Sequence, residues 1–318
     1  MVYNHCNSFF QDYKGASEMI FWVLLAVIIL AAAVWLWLIA PGKGADFETF
    51  RKFDYAHRGL HDRESGVPEN SEKAFSLAVQ CGFGMEFDLQ LTQDNFVVVH
   101  HDHSLKRTCN EDKLVSDLTF GELRQYRLFG TQEHIPLFAD VLKLVDGKTP
   151  LIIELKGYND PEELCPRVME ELKDYRGLYC VESFDPRIVR WFKEHRPDVV
   201  RGQLMERLEK GTNDLTAFQA FCGRNLLTNY YTRPHFEAYD FHNRDVPSLA
   251  LARRFLAMQE VSWTLRKGED FKKAKALGNL CIFEGFLPAK DEETQPRSFQ
   301  ELLLQKSAAP VTCQTNTR

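Results

Sequence analysis

Short runs of β-branched and other apolar residues recur along the chain, and most are separated by stretches with helical periodicity. The runs lie at residues 53–57, 85–91, 96–100, 151–155, 178–182, 199–204, 225–230, 260–263 and 280–283. Helical patterns fill most of the gaps, at 70–80, 161–175, 186–195, 248–258 and 270–278; Asn70 or Ser71 stands where a cap for the first is needed. Strands alternating with helices imply a parallel sheet. About eight such units over the folded part of the chain fit a closed (β/α)8 barrel better than an open doubly wound sheet, and no Gly-rich dinucleotide fingerprint argues for the latter. One link breaks the alternation. Thr92-Gln93-Asp94-Asn95 is too short for a helix, so the flanking strands are expected to pair as a hairpin or sit askew, with a long loop to follow.

In a barrel of this kind the C-terminal strand ends face the active site. Here they are dense in reactive side chains: His57-Arg58-Gly59 after the first run, Glu86 and Asp88 in the second, His100-His101-Asp102 after the third, Glu154 and Lys156 in the fourth. Alternation along a strand puts Glu86 with Asp88, and Glu154 with Lys156, on one face. A single strand-end carboxylate usually pairs with a neighbouring helix. Three converging carboxylates instead call for a hard cation, and all-oxygen ligation suits Mg²⁺ or Ca²⁺ rather than zinc. His57 and His101 can move protons near neutral pH, although a lone strand-end histidine is more often structural. Arg58 offers a bidentate fork to a phosphate and Lys156 a point charge. A phosphodiester is the simplest anion that explains the whole set.

Residues 19–40 form a run without a charge, long enough at about 1.5 Å per residue to cross about 30 Å of hydrocarbon. A buried core helix would show a polar face, and a cleaved signal peptide has a shorter apolar stretch followed by a small-residue cleavage site. Trp35 and Trp37 suit the membrane interface. A single retained transmembrane helix is therefore expected. Lys43, Arg51 and Lys52 follow it, against Lys14 and the amino terminus before it, which places the catalytic domain in the cytoplasm. The expected organisation is a tail at 1–18, the span at 19–40, a Pro/Gly-containing linker at 41–50, the barrel at 51–306 and a tail at 307–318. The net charge of −6 argues against a nucleic-acid partner, and eight scattered cysteines without a C-x-x-C pair indicate free thiols. The oligomeric state stays open.

The segment from His57-Arg58-Gly59 through Pro68-Glu69-Asn70-Ser71, Glu86-x-Asp88 and His101-Asp102, with the later Glu154-Leu155-Lys156, Ser183-Phe184 and Trp263-Thr264, resembles the glycerophosphodiester phosphodiesterase family. The resemblance implies a distorted TIM barrel with an insertion after the second strand. It assigns metal ligation to Glu86, Asp88 and Glu154, general base and acid to His57 and His101, with His101 as the acid, and phosphate contacts to Arg58 and Lys156. Glu69 corresponds to a further active-site position. Trp263 corresponds to an aromatic near the polyol, or else is a buried strand-end tryptophan. The implied reaction yields glycerol 3-phosphate and an alcohol, with the glycerol 2-hydroxyl as nucleophile and a cyclic phosphate then opened by water. A lysophospholipase D, a cyclising phosphodiesterase on membrane lipids and an inactive membrane-bound binding module are the alternatives. Two stretches depart from the family pattern. The last apolar run ends Phe283-Glu284-Gly285 in place of a Thr-Asp pair, and the aromatic segment 228–236 with Arg233 is expected to pack as a loop rather than to wall the pocket.

Overall fold

The computed structural model describes residues 2–207, 215–288 and 299, with side chains from residue 18 onward. The expected tail at 307–318 lies outside the described residues. Nine strands form one sheet: β1 (Tyr55–His57), β2 (Gly84–Leu91), β3 (Val97–Val99), β4 (Leu151–Leu155), β5 (Tyr179–Ser183), β6 (Arg201–Met205), β7 (Phe236–Asp240), β8 (Gln259–Leu265) and β9 (Leu280–Phe283). All except β3 run parallel, and β1 pairs with both β2 and β9, which closes the ring as an eight-stranded barrel. Because β1 is short, it covers only Gly84 to Glu86 of β2. The rest of that edge is taken by β3, folded back antiparallel with Leu89 opposite Val99. The hairpin expected from the Thr92–Asn95 turn is thus present, and the long excursion after it packs its own apolar cluster around Val98, Leu105, Val115 and Leu123.

The helices are α1 (Val2–Leu38), α2 (Glu72–Cys81), α3 (Lys106–Cys109), α4 (Phe120–Leu123), α5 (Phe138–Val145), α6 (Pro161–Leu172), α7 (Pro186–His195), α8 (Ala217–Arg224), α9 (Asn229–Thr232), α10 (Pro247–Leu256) and α11 (Gly268–Ala276). Their starts follow local chemistry. Ser71 accepts from the Ala74 amide at the head of α2, while Asp160 and Asp185 cap α6 and α7, each followed by proline in the first turn. Two-residue alternation then sorts the strands. Met85, Phe87, Leu151, Ile153 and Leu155 point outward against the helices. Tyr55, Ile152, Cys180, Val261 and Ile282 fill the lower barrel interior. The inward positions one step further along β2, β4 and β5 carry Glu86, Asp88, Glu154 and Glu182. The barrel is apolar below and acidic above because one alternation serves both ends.

One expectation changes. The run at 225–230 is not a strand: Leu226 has a left-handed backbone (φ 59°), α9 follows, and the seventh strand is β7. Its sequence Phe-Glu-Ala-Tyr-Asp hid it, since the buried outward positions include Glu237. α1 includes residues 2–18 as well as the apolar run. The stretch at 41–50 packs against the barrel: Phe47 and Phe50 are buried beneath it beside Tyr55 and Phe236, and the Gly42 amide donates to Pro234 O at 2.7 Å.

The segment 228–236 packs against α1 and not against the strand-end site. Ile39 is fully buried in one cluster with Met205, Ala220, Tyr239, Leu249 and Ala252. Asn229 Nδ2 donates to Ile39 O (3.2 Å) and to Glu237 Oε1 (2.7 Å), while Arg233 Nη1 donates to Trp37 O (2.8 Å) and Ala40 O (3.0 Å). Burial pushes the Glu237 carboxyl up to about 8, against the opposing effect of Asn229. In the unfolded chain it titrates near 4.5. Between those values only the folded state keeps the proton, so this joint is most stable at low pH and loses about 1.4 kcal/mol per pH unit as pH rises toward about 8, levelling off above it. Glu237→Gln should flatten that decline in thermal-unfolding scans against pH; an unchanged slope would contradict it.

Candidate active site

The upper end of the barrel gathers side chains from six strand ends and two loops. Glu86, Asp88 and Glu154 each offer a carboxylate oxygen, and the three atoms lie within 4.8 Å of one another, all three residues buried. Lys156 Nζ stands 2.7 Å from both Asp88 Oδ1 and Glu154 Oε1. Asn70 Nδ2 donates to Asp88 Oδ2 at 2.7 Å, and the Arg58 amide donates to Glu86 Oε2 at 3.1 Å. Both Arg58 and Asn70 hold left-handed backbone (φ 55° and 52°), tied together by the Asn70 amide on Arg58 O. Two non-glycine residues held in this region at one strand end mark backbone over-determined by its surroundings.

The electrostatics are unbalanced in one direction. Four buried carboxylates, Glu86, Asp88, Glu154 and Glu182, stand against only two cations, Lys156 and Arg58, so ionising all four would leave two negative charges unmatched. Burial, then repulsion from Asp88 and Glu154, pushes the Glu86 carboxyl well above its ordinary range, and burial raises Glu154 and Glu182 as well. Asp88 goes the other way: burial opposes its charge, but Lys156, His101 and Arg58 outweigh it. Glu182 Oε2 is buried without a hydrogen-bond partner. Hard oxygen donors with surplus charge in a dry pocket suit one divalent cation such as Mg²⁺ or Ca²⁺. A second group, His57, His61 and Glu284, has ligand atoms equally close, but Glu284 is already paired with His57 and with Arg266 (2.9 Å) and carries no such surplus.

Each histidine is backed by a carboxylate. His57 Nδ1 lies 2.7 Å from Glu284 Oε2, with Nε2 3.9 Å from Glu86 Oε2. His101 Nδ1 lies 2.6 Å from Asp102 Oδ1. A carboxylate can only accept, so each Nδ1 carries a hydrogen and Nε2 is the ring nitrogen left for another partner. Burial pulls His57 down to about 4 despite the bond to Glu284, so it is a neutral imidazole with a free lone pair. Burial opposes the charge on Asp102, but hydrogen bonds from His101 and Arg107 outweigh it and hold the carboxyl below its usual range. His100 is structural, buried with Nε2 2.8 Å from Thr108 Oγ1.

Glu69 is where the arginines meet. It accepts from Arg58 Nη1 (2.6 Å) and from both Arg107 Nη1 (2.8 Å) and Nη2 (2.7 Å), and these cations outweigh burial to hold it at about 2. Arg58 is thereby aimed along the edge of the acidic cluster, 3.6 Å from Asp88. Trp263 stands on β8 with its ring edge-on to Phe184 at 5.6 Å, and its indole N–H has no acceptor. Of the candidate catalytic, phosphate-binding and metal-ligating residues, all except Trp263 thus join one network of direct contacts. Glu284, not among the candidates from the sequence, joins the same network through His57. The signal was present: the inward positions Leu280 and Ile282 extend by two to Glu284.

Comparison with known proteins gives a consistent relationship. Residues 57–286 match the model of the glycerophosphoryl diester phosphodiesterase family. The chain is 28% identical over 233 residues to a glycerophosphodiester phosphodiesterase of Caldanaerobacter subterraneus subsp. tengcongensis, covering 69% of this chain and 87% of that one. A lysophospholipase D of Rattus norvegicus is 36% identical over 121 residues, 34% of this chain and 38% of that one. Among solved structures, an Oleispira antarctica phosphodiesterase in complex with the product sn-glycerol-3-phosphate superposes with a TM-score of 0.61 at 21% identity, covering 73% of this chain and 92% of that one.

The charge balance has a direct consequence for stability. Lys156→Met leaves Asp88 and Glu154 buried without their shared ammonium, and breaking a buried pair on one side costs about 3–5 kcal/mol. Urea unfolding should register that loss, and added divalent cation should restore part of it; wild-type stability in the variant would refute the balance described.

Proposed function

The chain belongs to the glycerophosphoryl diester phosphodiesterase family, and from that premise we propose that it hydrolyses glycerophosphodiesters to glycerol 3-phosphate and an alcohol, using one divalent cation and two histidines. The observation that carries the reading is the buried Glu86, Asp88 and Glu154 cluster flanked by two carboxylate-backed imidazoles. The cation, Mg²⁺ or Ca²⁺, would be held by those three carboxylates and would supply positive charge to the phosphoryl oxygens.

The chain's own groups account for the rest. Arg58, fixed by Glu69, and Lys156, fixed by Asp88 and Glu154, bind and orient the anionic phosphodiester. Neutral His57 takes the proton of the attacking hydroxyl at Nε2, with Glu284 supporting the charge that forms. A new P–O bond is made as the P–O bond to the alcohol breaks. His101, backed by Asp102, delivers a proton from Nε2 to the departing oxygen. The attacking hydroxyl is the glycerol 2-OH or water; the former gives a cyclic phosphate that water then opens. Trp263, with its unpaired N–H beside Phe184, is suited to the polyol.

α1 acts as a retained membrane anchor. Glu18–Leu38 is apolar enough to span, and the burial of Ile39 with its bonds to Asn229 supports retention over cleavage as a signal sequence. The cations at Lys43, Arg51 and Lys52 favour a cytoplasmic barrel. Such an anchor, together with the lysophospholipase D relative, favours a second reading in which lysophospholipids enter the same site.

The full chain in detergent should release glycerol 3-phosphate from glycerophosphocholine, lose the activity to EDTA and regain it with Mg²⁺ or Ca²⁺. His101→Ala should lower kcat by about 10²- to 10⁴-fold. Undiminished hydrolysis in that variant would remove the acid role, and parallel assay of lysophosphatidylcholine by phosphorus NMR separates the two substrate readings. Glu284→Gln should reduce kcat with little change in KM and shift the acidic limb of the pH–rate profile; an unaltered profile would leave Glu284 without a part in catalysis.

A further inference from the structure

Of the eight large apolar side chains exposed outside α1 among the described residues, five lie on the three helices around its docked end: Phe218 and Phe221 on α8, Tyr230 on α9, and Leu251 and Phe255 on α10. Phe218 is 74% exposed and Phe255 67%, so neither is a core residue at a rim. Two of the five adjoin the end of the anchor. Tyr230 lies 6.4 Å from the Trp37 ring, over which Arg233 sits at 4.9 Å, and Phe255 lines a cavity with Ala40 and Gly42.

The length of the anchor adds an independent constraint. Trp35, Leu36 and Ile39 are packed into the cluster formed with α8 and α10. What stands clear of the domain, residues 19–34, is about 24 Å long at about 1.5 Å per residue, short of the roughly 30 Å of hydrocarbon a span must cross. Glu18 bounds it on the other side. The docked turns must therefore enter the bilayer, and they carry the α8–α10 face down with them.

We propose that the exposed face of α8, α9 and α10 is a membrane-contact surface, seated in the interfacial layer of the bilayer that α1 crosses, so that the barrel rests on lipid instead of swinging from a stalk. This rests on the reading of α1 as a membrane span. Aromatic side chains are the residues expected at that depth, and Arg254, exposed beside Phe255, meets headgroup phosphates.

The test is to reconstitute the full chain in vesicles of phosphatidylcholine and phosphatidylglycerol containing a phospholipid with a diazirine in its acyl chain, irradiate, and locate the lipid adducts by mass spectrometry. Adducts on peptides of α8 and α10 as well as α1 are expected. The triple variant Phe218→Ser, Phe221→Ser, Phe255→Ser, all at exposed positions, should lose the α8 and α10 adducts while keeping those on α1. Adducts confined to α1 in the wild type would overturn the contact surface and leave the anchor intact. Adducts on neither would overturn the anchor, and the contact surface with it.

Discussion

Carboxylates held close together in a dry barrel mouth are the constraint around which the rest of this structure is arranged. Glu86, Asp88 and Glu154 cannot all be charged at such separations without cations beside them. Lys156 answers part of the demand at 2.7 Å, and Arg58 another part from a left-handed backbone that Asn70 shares. Glu69 then has to hold Arg58, and Arg107 holds Glu69 and Asp102. Asp102 fixes His101. The chain of consequences runs from two-residue alternation in β2 and β4, through charge balance, to the placement of an imidazole on a loop.

Most of this was legible in the sequence because alternation and strand-end position are local properties. Glu86-x-Asp88 and Glu154-x-Lys156 announce a shared face wherever the strand is correctly placed. The barrel followed from the same alternation, and the hairpin from a turn too short for a helix. β7 was not legible, because its buried outward positions include Glu237, whose partner Asn229 lies on a short helix and is itself held by Ile39 O, far away in sequence. Glu284 is hidden for a related reason: it lies beyond the end of a short strand, where only the inward register of Leu280 and Ile282 points to it.

The least legible feature was the joint between anchor and barrel. Pro41, Gly42 and Gly44 read as a helix-breaking linker; in the structure Gly42 is pinned to Pro234 and the chain beyond it closes the barrel floor with Phe47 and Phe50. An added Cβ at Gly42 would lie 2.6 Å from Arg233 O, so glycine here answers a close approach and not a need for freedom. No composition-based rule separates those two uses. A barrel joined rigidly to an apolar helix has its orientation to the surrounding medium set by the fold, which ties access to the active-site mouth to the way the domain lies.

The central claim, that the acidic cluster holds one divalent cation next to the bound phosphate, is tested most directly with Mn²⁺ as a paramagnetic probe on the full chain. Electron paramagnetic resonance should count one tightly bound ion per chain, and the phosphorus resonance of added glycerol 3-phosphate should broaden strongly in its presence. Both effects should vanish when Glu86, Asp88 and Glu154 are replaced together by their amides in a chain that still folds. Ion binding and broadening that persist in that variant, or a wild-type chain that binds no Mn²⁺, would contradict the account.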